Sequence, residues 1–187
     1  MNLSDFSLEN KVALITGGTS GLGKMMALAL AKAGAFVWIA SSRDNADETL
    51  QAIKQQGSNG SFLQVDVTSS EGLENIVSQI LKESNRIDIL VNAAGINLRT
   101  SASDLTLDEW QKTIDINLTA PFYLSQIVAE SMKRNNWGRI INIASLQSLR
   151  AFDNSIPYGA SKGGVMQLTR ALAQAYSKDG ILVNAIA

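Results

Sequence analysis

Tyr158 and Lys162, a tyrosine and a lysine four positions apart, are the side chains of this sequence best suited to proton chemistry. In a helix, side chains at positions i and i+4 lie one turn apart on the same face. Free tyrosine, with a pKa of about 10, is a poor acid or base at neutral pH, but a fixed ammonium beside a phenol favours the phenolate. The pair could therefore exchange a proton with a substrate oxygen without histidine, which the sequence lacks. A half-buried tyrosine beside a solvated lysine is the alternative interpretation.

Two other stretches favour the chemical interpretation. The apolar run 139–144 ends at Ser145, where a strand would place a hydroxyl at the edge of a sheet. Near the start, residues 16–23 read Thr-Gly-Gly-Thr-Ser-Gly-Leu-Gly and predict a glycine-rich turn between a strand and a helix. Glycines let the backbone approach a pyrophosphate, whose charge meets the free N–H groups of the next helix. Because tight turns need glycine in any case, the position after a first strand is what favours phosphate binding.

Short apolar β-type runs alternate with longer helical patterns along the chain. The alternation predicts an α/β fold with a doubly wound parallel sheet, the Rossmann type, in a single domain over residues 1–187. Ligands of such sheets bind beyond the carboxyl ends of the strands, where we expect Thr16, Asn92 and Ser145. The predicted strands are Val12–Thr16, Phe36–Ala40, Ser61–Val65, Ile89–Asn92, Arg139–Ala144 and Ile181–Ile186. The predicted helices are Leu22–Ala33, Ala46–Gln56, Ser70–Glu83, Leu107–Arg134 and Tyr158–Lys178.

The composition excludes several classes of protein. The chain has 187 residues, 45% of them hydrophobic, a formal net charge of −1 and no basic cluster, so we expect neither a nucleic-acid nor a membrane partner. Cysteine and histidine are absent, which excludes disulfides and a thiol nucleophile and predicts no metal site. The first ten residues lack the basic start and apolar core of a signal peptide, so a reduced, cytoplasmic setting is expected.

The residues at the ends of the second and third predicted strands indicate which cofactor is bound and how its adenine could be recognised. No carboxylate stands in the Ser-Ser-Arg sequence at positions 41–43 to bind a ribose 2′-hydroxyl. Ser42 and Arg43 could instead meet a 2′-phosphate, which favours NADP(H) over NAD(H), although Asp44 is adjacent and a solvated arginine is the alternative. Asp66, followed by Val67, could accept from an adenine amino group or could form the turn before the next helix, and both interpretations stay open.

With these features in order, and with Asn92-Ala-Ala-Gly95 and Asp115-Ile-Asn-Leu118 between them, the sequence resembles the short-chain dehydrogenase/reductase family from Leu8 to Ala187. The resemblance implies an oxidoreductase that transfers a hydride between NAD(P) and an alcohol or carbonyl substrate. The cofactor-binding positions that it implies, besides the strand tips and the tyrosine–lysine pair, are Gly17, Thr19, Ser20, Gly21, Leu22, Gly23, Asn92, Ala93, Ala94 and Gly95.

The same resemblance gives the catalytic residues their roles. Tyr158 is the implied acid/base, and Lys162 favours its phenolate form and holds the nicotinamide ribose. Ser145 is expected to hydrogen-bond the substrate carbonyl or hydroxyl, and Asn117 to support a proton relay. Ala93 departs from the second asparagine that is commoner in the family.

Within the family, the stretches 91–99, 140–148 and 162–169 resemble the sugar-acid branch typified by gluconate 5-dehydrogenase and 2-deoxy-gluconate 3-dehydrogenase. We therefore expect a small-molecule substrate such as gluconate or a keto-gluconate, contacted by Arg99, Ser145, Gln147 and Tyr158. Arg99 could pair with a carboxylate, as guanidinium geometry suits, or could be an exposed loop arginine. A 3-oxoacyl carrier-protein reductase and a truncated, non-catalytic nucleotide-binding remnant are the alternatives.

Members of the family continue beyond the position of Ala187 with a Pro-Gly turn, a substrate-covering segment and one more parallel strand. From this departure we expect either a fragment of a longer polypeptide or a truncated product, with the last strand and the substrate loop missing. The family resemblance of the stretches 107–134 and 158–178 also implies a homodimer or homotetramer, because these helices pair across a two-fold axis.

Overall fold

The computed structural model describes residues 6–187, in which strands and helices alternate as the sequence predicts. Contacts divide the chain into two compact units, the first ending at Ala93 and the second beginning at Ala94. The single domain over residues 1–187 stays a prediction. Within the described residues no helix is both long enough and apolar enough to cross a bilayer.

The first unit holds four parallel strands in the order β3-β2-β1-β4. Because β1 lies between β2 and β4, all of its residues are buried, which explains why its first four residues are apolar instead of alternating in polarity. Leu14, Ile15 and Ile39 are completely buried in the core. The elements are β1 Val12–Thr16, α1 Gly21–Lys32, β2 Phe36–Ser41, α2 Asp47–Gln55, β3 Gly60–Gln64, α3 Ser70–Ser84 and β4 Ile89–Asn92.

The register of the first unit aligns the carboxyl ends of its strands. Thr16 lies opposite Ala40 of β2 and opposite Asn92 of β4. At the other end of β1, the main-chain N–H of Val12 donates to the buried carboxylate of Asp88, at 2.9 Å. The polar residues at the strand tips therefore share one edge, which is the edge where parallel α/β sheets bind ligands.

The second unit contains three α-helices, a short π-helix, two 3₁₀ helices and two parallel strands. β5 pairs with β6 from Gly138 opposite Ile181 to Ile143 opposite Ile186, and α6 packs against β6. The elements are α4 Leu107–Ile114, a π-helix Asp115–Thr119, α5 Ala120–Arg134, β5 Gly138–Ile143, a 3₁₀ helix Leu146–Ser148, α6 Ile156–Tyr176, a 3₁₀ helix Ser177–Asp179 and β6 Ile181–Ile186.

The predicted helix Leu107–Arg134 is helical throughout, but it is not one regular α-helix. It begins with a capping box between Thr106 and Glu109, and at the π-helix the N–H of Ala120 bonds to the carbonyl of Asp115, five residues back. Such π-segments frequently occur at functional sites. Here the segment contains the buried side chain of Asn117.

Candidate active site

Tyr158 and Lys162 pair on α6 as their spacing predicts. The Nζ atom of Lys162 lies 5.6 Å from the centre of the Tyr158 ring, within the range of about 6 Å in which an ammonium and an aromatic ring attract. The tyrosine is half-buried, whereas the lysine is only 5% exposed. The structure thus places a cation beside a phenol that solvent can still reach. The acid/base role of the pair stays a prediction.

Lys162 is held at the end of β5. Its Nζ donates a hydrogen bond to the main-chain carbonyl of Ile143, the last residue of that strand. Burial lowers the pKa of the Lys162 ammonium to about 8, because apolar surroundings disfavour the charged form. A Cβ atom on Gly95 would lie 3.8 Å from this Nζ and 3.3 Å from Oδ1 of Asn117, so these three residues are neighbours.

Ser145 follows β5 and begins the short 3₁₀ helix Leu146–Ser148. Its Oγ accepts from the N–H of Gln147 at 3.1 Å, and its own N–H donates to Oγ of Ser148 at 3.3 Å. Because Oγ acts as an acceptor in this bond, its O–H can still be donated to a substrate oxygen. Ser148 in turn donates to the carbonyl of Lys162 at 2.8 Å, so one hydroxyl ties Ser145 to α6.

Asn117 joins the segment after β4 to α6. Its Oδ1 accepts from the N–H of Ile96 at 2.9 Å, and its Nδ2 donates to the carbonyl of Ile96 at 2.8 Å and to Oγ of Ser161 at 3.1 Å. Ser161 donates to the carbonyl of Tyr158 at 2.8 Å. Both amide hydrogens of Asn117 are therefore used in bonds within the protein, and its part in a proton relay stays a prediction.

Two residues of this network, Ser148 and Ser161, were not predicted from the sequence. The Ser145-x-x-Ser148 spacing is that of a capping box, and the reciprocal pair of bonds is present in the structure. That spacing was an available signal for Ser148. Ser161 precedes Lys162 directly, and no local pattern shows that its hydroxyl connects Asn117 to the backbone of Tyr158.

The glycine turn of the first unit requires its glycines for two different reasons. Gly17 and Gly21 have φ angles of 70° and 54°, a conformation that other residues rarely adopt. At Gly23 the φ angle is ordinary, but a Cβ would lie 2.3 Å from the carbonyl oxygen of Gly17. A Cβ on Gly21 would meet nothing within 4 Å, so the start of α1 is open on that side, as a phosphate cradle requires.

The other turn residues surround this opening, and the turn is linked to the tip of β2. Ser20 precedes α1 without a side-chain capping bond, and Leu22 is exposed. Oγ1 of Thr19 lies 3.3 Å from Oγ of Ser41. Ser42 and Arg43 follow as exposed residues, and the N–H of Arg43 donates to Ser41 at 3.2 Å. The predicted 2′-phosphate residues therefore lie in the same unit as the glycine turn.

Asp66 forms the turn that one interpretation of the sequence predicts. Its Oδ1 accepts from the N–H of Thr68 at 2.9 Å and from the Thr68 hydroxyl at 2.8 Å. Val67 between them is half-buried. Both bonds use Oδ1, so the turn is compatible with adenine recognition through Oδ2, and that second role stays a prediction.

The segment that starts at Asn92 continues from the end of β4. Asn92 is 4% exposed, and the N–H of Ala93 donates to Oγ1 of Thr16 at 3.2 Å. Ala94 is half-buried and Gly95 is exposed. This hydrogen bond fixes the end of β4 to the end of β1.

Of the predicted substrate contacts, Gln147 is bonded to Ser145 and Arg99 is not. Gln147 is bonded to Ser145 through its main chain, and its side chain lies over α6, with Oε1 3.7 Å from the position of a Cβ on Gly159. Arg99 is an exposed residue in the segment that precedes α4, and it forms no hydrogen bond or ion pair with the described residues. Residues 6–187 contain no group of three acidic side chains placed to hold a metal ion.

Curated relatives match almost the whole chain. An NAD-dependent glycerol dehydrogenase of Listeria innocua is 37% identical over 182 residues, which are 97% of this chain and 71% of the relative. A 2-dehydro-3-deoxy-D-gluconate 5-dehydrogenase of Escherichia coli is 38% identical over 188 residues, covering 100% of this chain and 74% of that protein.

A solved structure shows the same fold. The crystal structure of a gluconate 5-dehydrogenase from Burkholderia cenocepacia, in complex with NADP and tartrate, matches 98% of this chain and 72% of its own with a TM-score of 0.92 and 33% identity. The doubly wound parallel α/β fold predicted from the sequence is confirmed. The family model for short chain dehydrogenases matches residues 11–187. The chain therefore belongs to the short-chain dehydrogenase family, whose members are NAD(P)-dependent oxidoreductases acting on CH–OH groups.

Proposed function

We propose that the chain interconverts a sugar acid and its keto form, with NADP(H) preferred over NAD(H). The observation that carries the reaction is the buried Lys162 beside Tyr158, together with the free O–H of Ser145 in the same unit. The similarity to the gluconate-type dehydrogenases supports the sugar acid. Arg43 supports NADP(H), whereas the glycerol dehydrogenase of Listeria is NAD-dependent.

The residues of the first unit fit a dinucleotide. The open side of Gly21 and the first N–H groups of α1 would hold the pyrophosphate, since a helix N-terminus favours an anion. Arg43 would bind the 2′-phosphate and Oδ2 of Asp66 the adenine amino group. The nicotinamide, when bound, supplies the hydride.

The proton chemistry belongs to the second unit. In the reductive direction, Tyr158 gives its proton to the substrate oxygen while the Ser145 hydroxyl donates a hydrogen bond to that oxygen. The two donors stabilise the negative charge that grows as the carbonyl becomes an alkoxide, and this differential stabilisation accelerates the step. The ammonium of Lys162 favours the phenolate that remains. In the oxidative direction the phenolate takes the proton back.

A substrate panel tests this function. Purified protein is mixed with NADPH or NADH and with keto-sugar acids or acetoacetyl thioesters, and consumption of the reduced cofactor is followed. The proposal predicts faster turnover of keto-sugar acids, and faster turnover with NADPH. Turnover restricted to thioesters would indicate a 3-oxoacyl carrier-protein reductase, an alternative favoured by the exposed apolar side chains of Leu149 and Phe152. Tight cofactor binding without any turnover would indicate a non-catalytic nucleotide-binding protein.

Arg99 is proposed to pair with the substrate carboxylate. Because a charge-assisted hydrogen bond contributes about 1.5–3 kcal/mol, Arg99→Ala should raise KM for sugar acids about tenfold or more and leave KM for neutral polyols unchanged. Arg170→Ala, which removes another exposed arginine, is the matched control. An equal rise for charged and neutral substrates would count against the carboxylate assignment.

The assembly and the compartment remain proposals. A homodimer or homotetramer is supported by the family resemblance of the α4–α5 and α6 regions and by the exposed Phe122 on α5. The proposed compartment is the cytoplasm.

A further inference from the structure

A cavity of about 340 Å³ lies in the second unit beside the start of α6. Its walls include Gln147, Phe152, Ser155, Ile156 and Gly159. Phe152 and Ile156 are large apolar side chains that are 51% and 46% exposed. The volume falls in the range of about 300–1,000 Å³ that small-molecule sites occupy. The cavity is therefore large enough for the carbon chain of a small substrate.

Two residues of the cavity wall, Gln147 and Ser155, each have a buried side-chain oxygen without a hydrogen-bond partner. Ser155 is only 2% exposed, and its Oγ has no partner in the structure. The residue stands at the N-cap of α6, where a serine normally accepts from a helix N–H, but its side chain makes no such bond. Oε1 of Gln147 is buried and unpartnered as well. Buried polar atoms of this kind are rare in native proteins, and two in one cavity point to a polar ligand.

We propose that this cavity binds the hydroxyl-bearing carbon chain of the substrate, an inference that rests on the proposed function. A substrate hydroxyl donates to Oε1 of Gln147, which as an amide oxygen can only accept. Ser155 bonds a neighbouring hydroxyl, as donor or as acceptor, while Phe152 and Ile156 pack against the C–H groups.

Two residues of the cavity wall are close in sequence to catalytic residues of the same unit. Ser155 is the N-cap of α6, and Tyr158 lies in the first turn of that helix. Gln147 is bonded to Ser145 through its main-chain N–H. A chain attached to the reacting carbon would therefore extend towards the two unpartnered atoms. Because Oε1 would repel a carboxylate oxygen, the acidic end of the substrate is left to Arg99, the partner proposed above.

This arrangement predicts that a substrate needs a hydroxyl group on its carbon chain in order to bind well in the cavity. An alkyl chain in this cavity would leave both Gln147 and Ser155 without partners, and sites built to bond a hydroxyl reject analogues without it by about 10⁴-fold or more. We expect the protein to prefer a keto-sugar acid over a keto acid of equal length without hydroxyls by at least about 100-fold in kcat/KM.

Two variants test the assignment kinetically. Gln147→Met keeps the length of the side chain and the main-chain bond to Ser145 but removes the acceptor, and Ser155→Ala removes the hydroxyl. Each should lower kcat/KM for the keto-sugar acid about 10-fold or more and so reduce the preference over the keto acid without hydroxyls. The dissociation constant of NADP should not change. Variants that retain the full preference would overturn the inference.

A stability measurement on Ser155 separates this role from a structural one. Because its hydroxyl has no partner in the protein, Ser155→Ala should raise the melting temperature without substrate, by about 2–4 °C. Ser161→Ala, in the same helix, removes a buried hydroxyl that makes two hydrogen bonds and should lower the melting temperature. A fall in both variants would show that the Ser155 hydroxyl serves the fold.

The failure of this inference can be told apart from failure of the proposed function. If no panel substrate turns over, the proposed function fails, and the cavity is judged by calorimetric titration of the NADP-saturated protein with gluconate. Binding heat that Gln147→Met abolishes would support the cavity, and absence of binding to the unaltered protein would overturn it. If keto acids with and without hydroxyls turn over equally, the proposed oxidoreductase function is supported and the assignment of the cavity is wrong.

Discussion

Lys162 is an ammonium whose surroundings disfavour its charge. It is 5% exposed, and burial lowers its pKa to about 8 from a value of 10.5. Below pH 8 the folded and unfolded chains both carry the proton, and burying that charge costs stability. Between about pH 8 and 10.5 the unfolded chain still holds the proton while the folded chain has released it. Stability from this group therefore rises with pH across that window.

The pH dependence of stability can be measured by comparing the protein with its Lys162→Met variant. The free energy of unfolding from denaturant titrations should rise with pH in the wild type relative to the variant. The difference should change by about 3 kcal/mol across the window, since one pKa unit corresponds to about 1.4 kcal/mol. Lys82→Met, at an exposed position of α3, controls for the loss of any lysine. A difference that stays constant from pH 7 to 10 would contradict the burial of the charge.

Among the structural elements, the glycine turn contains one glycine that is needed for close packing and another that is needed for its positive φ angle, so two variants can separate these effects. Gly23→Ala places a Cβ 2.3 Å from the Gly17 carbonyl, so the turn must open and the protein should lose NADP binding and stability together. Gly21→Ala meets no atom within 4 Å and carries only the strain of a positive φ, about 1–2 kcal/mol. Calorimetric NADP titrations and melting curves of both variants measure the effects. Equal losses would show that packing at Gly23 is not what the turn depends on.

The 3₁₀ helix after β5 depends on Ser148, which links Ser145 to α6. Ser148→Ala removes bonds to the Ser145 N–H and the Lys162 carbonyl, so Ser145 should be held less firmly. We expect kcat to fall about tenfold with the NADP dissociation constant unchanged, and Ser148→Thr to restore most of it, since one hydrogen bond contributes about 1 kcal/mol. Ser103→Ala, at an exposed position, serves as the control. Unchanged kcat in Ser148→Ala would remove Ser148 from the positioning network.

The order of strands and helices could be predicted from the sequence because it depends on local features, namely the spacing of apolar residues and the positions of glycines. The structure confirms the alternation of strands and helices, and it starts α6 at Ile156, two residues early, because Pro157 fits the first turn of a helix. The π-helix around Asn117 could not be predicted, since one wider turn leaves the apolar pattern of the stretch 107–134 almost unchanged. Ser161 was missed because Asn117, which donates to its hydroxyl, lies 44 residues away in the sequence.

At the scale of the whole molecule, the family's chemistry is divided along the chain. The first unit contains the glycine turn and Arg43, which follows the end of β2. The second unit contains Ser145, Tyr158 and Lys162. The family match from residue 11 to residue 187 includes both units. Variants in the glycine turn should therefore act on cofactor binding, and variants in the second unit on turnover.

Family and reaction type could be read from the sequence, whereas substrate selection could not. The motifs around Tyr158 serve a reaction that many substrates share, so they identify the chemistry alone. Discrimination depends on side chains such as Gln147 and Ser155, whose buried and unpartnered atoms become visible only in three dimensions. The family resemblance already places Gln147 among the expected substrate contacts, whereas nothing in the type or spacing of Ser155 separates it from an ordinary polar loop residue.

The measurement that tests the account most directly is the turnover of Tyr158→Phe with NADPH and the best substrate of the panel. A positioned acid/base contributes about 10²–10⁴-fold, so kcat should fall at least a hundredfold although the variant still binds NADP. Tyr176→Phe makes the same change to a half-buried tyrosine at the end of α6 and should leave kcat unaltered. If Tyr158→Phe keeps most of the activity, the phenol of Tyr158 is not the proton donor and the proposed mechanism is wrong.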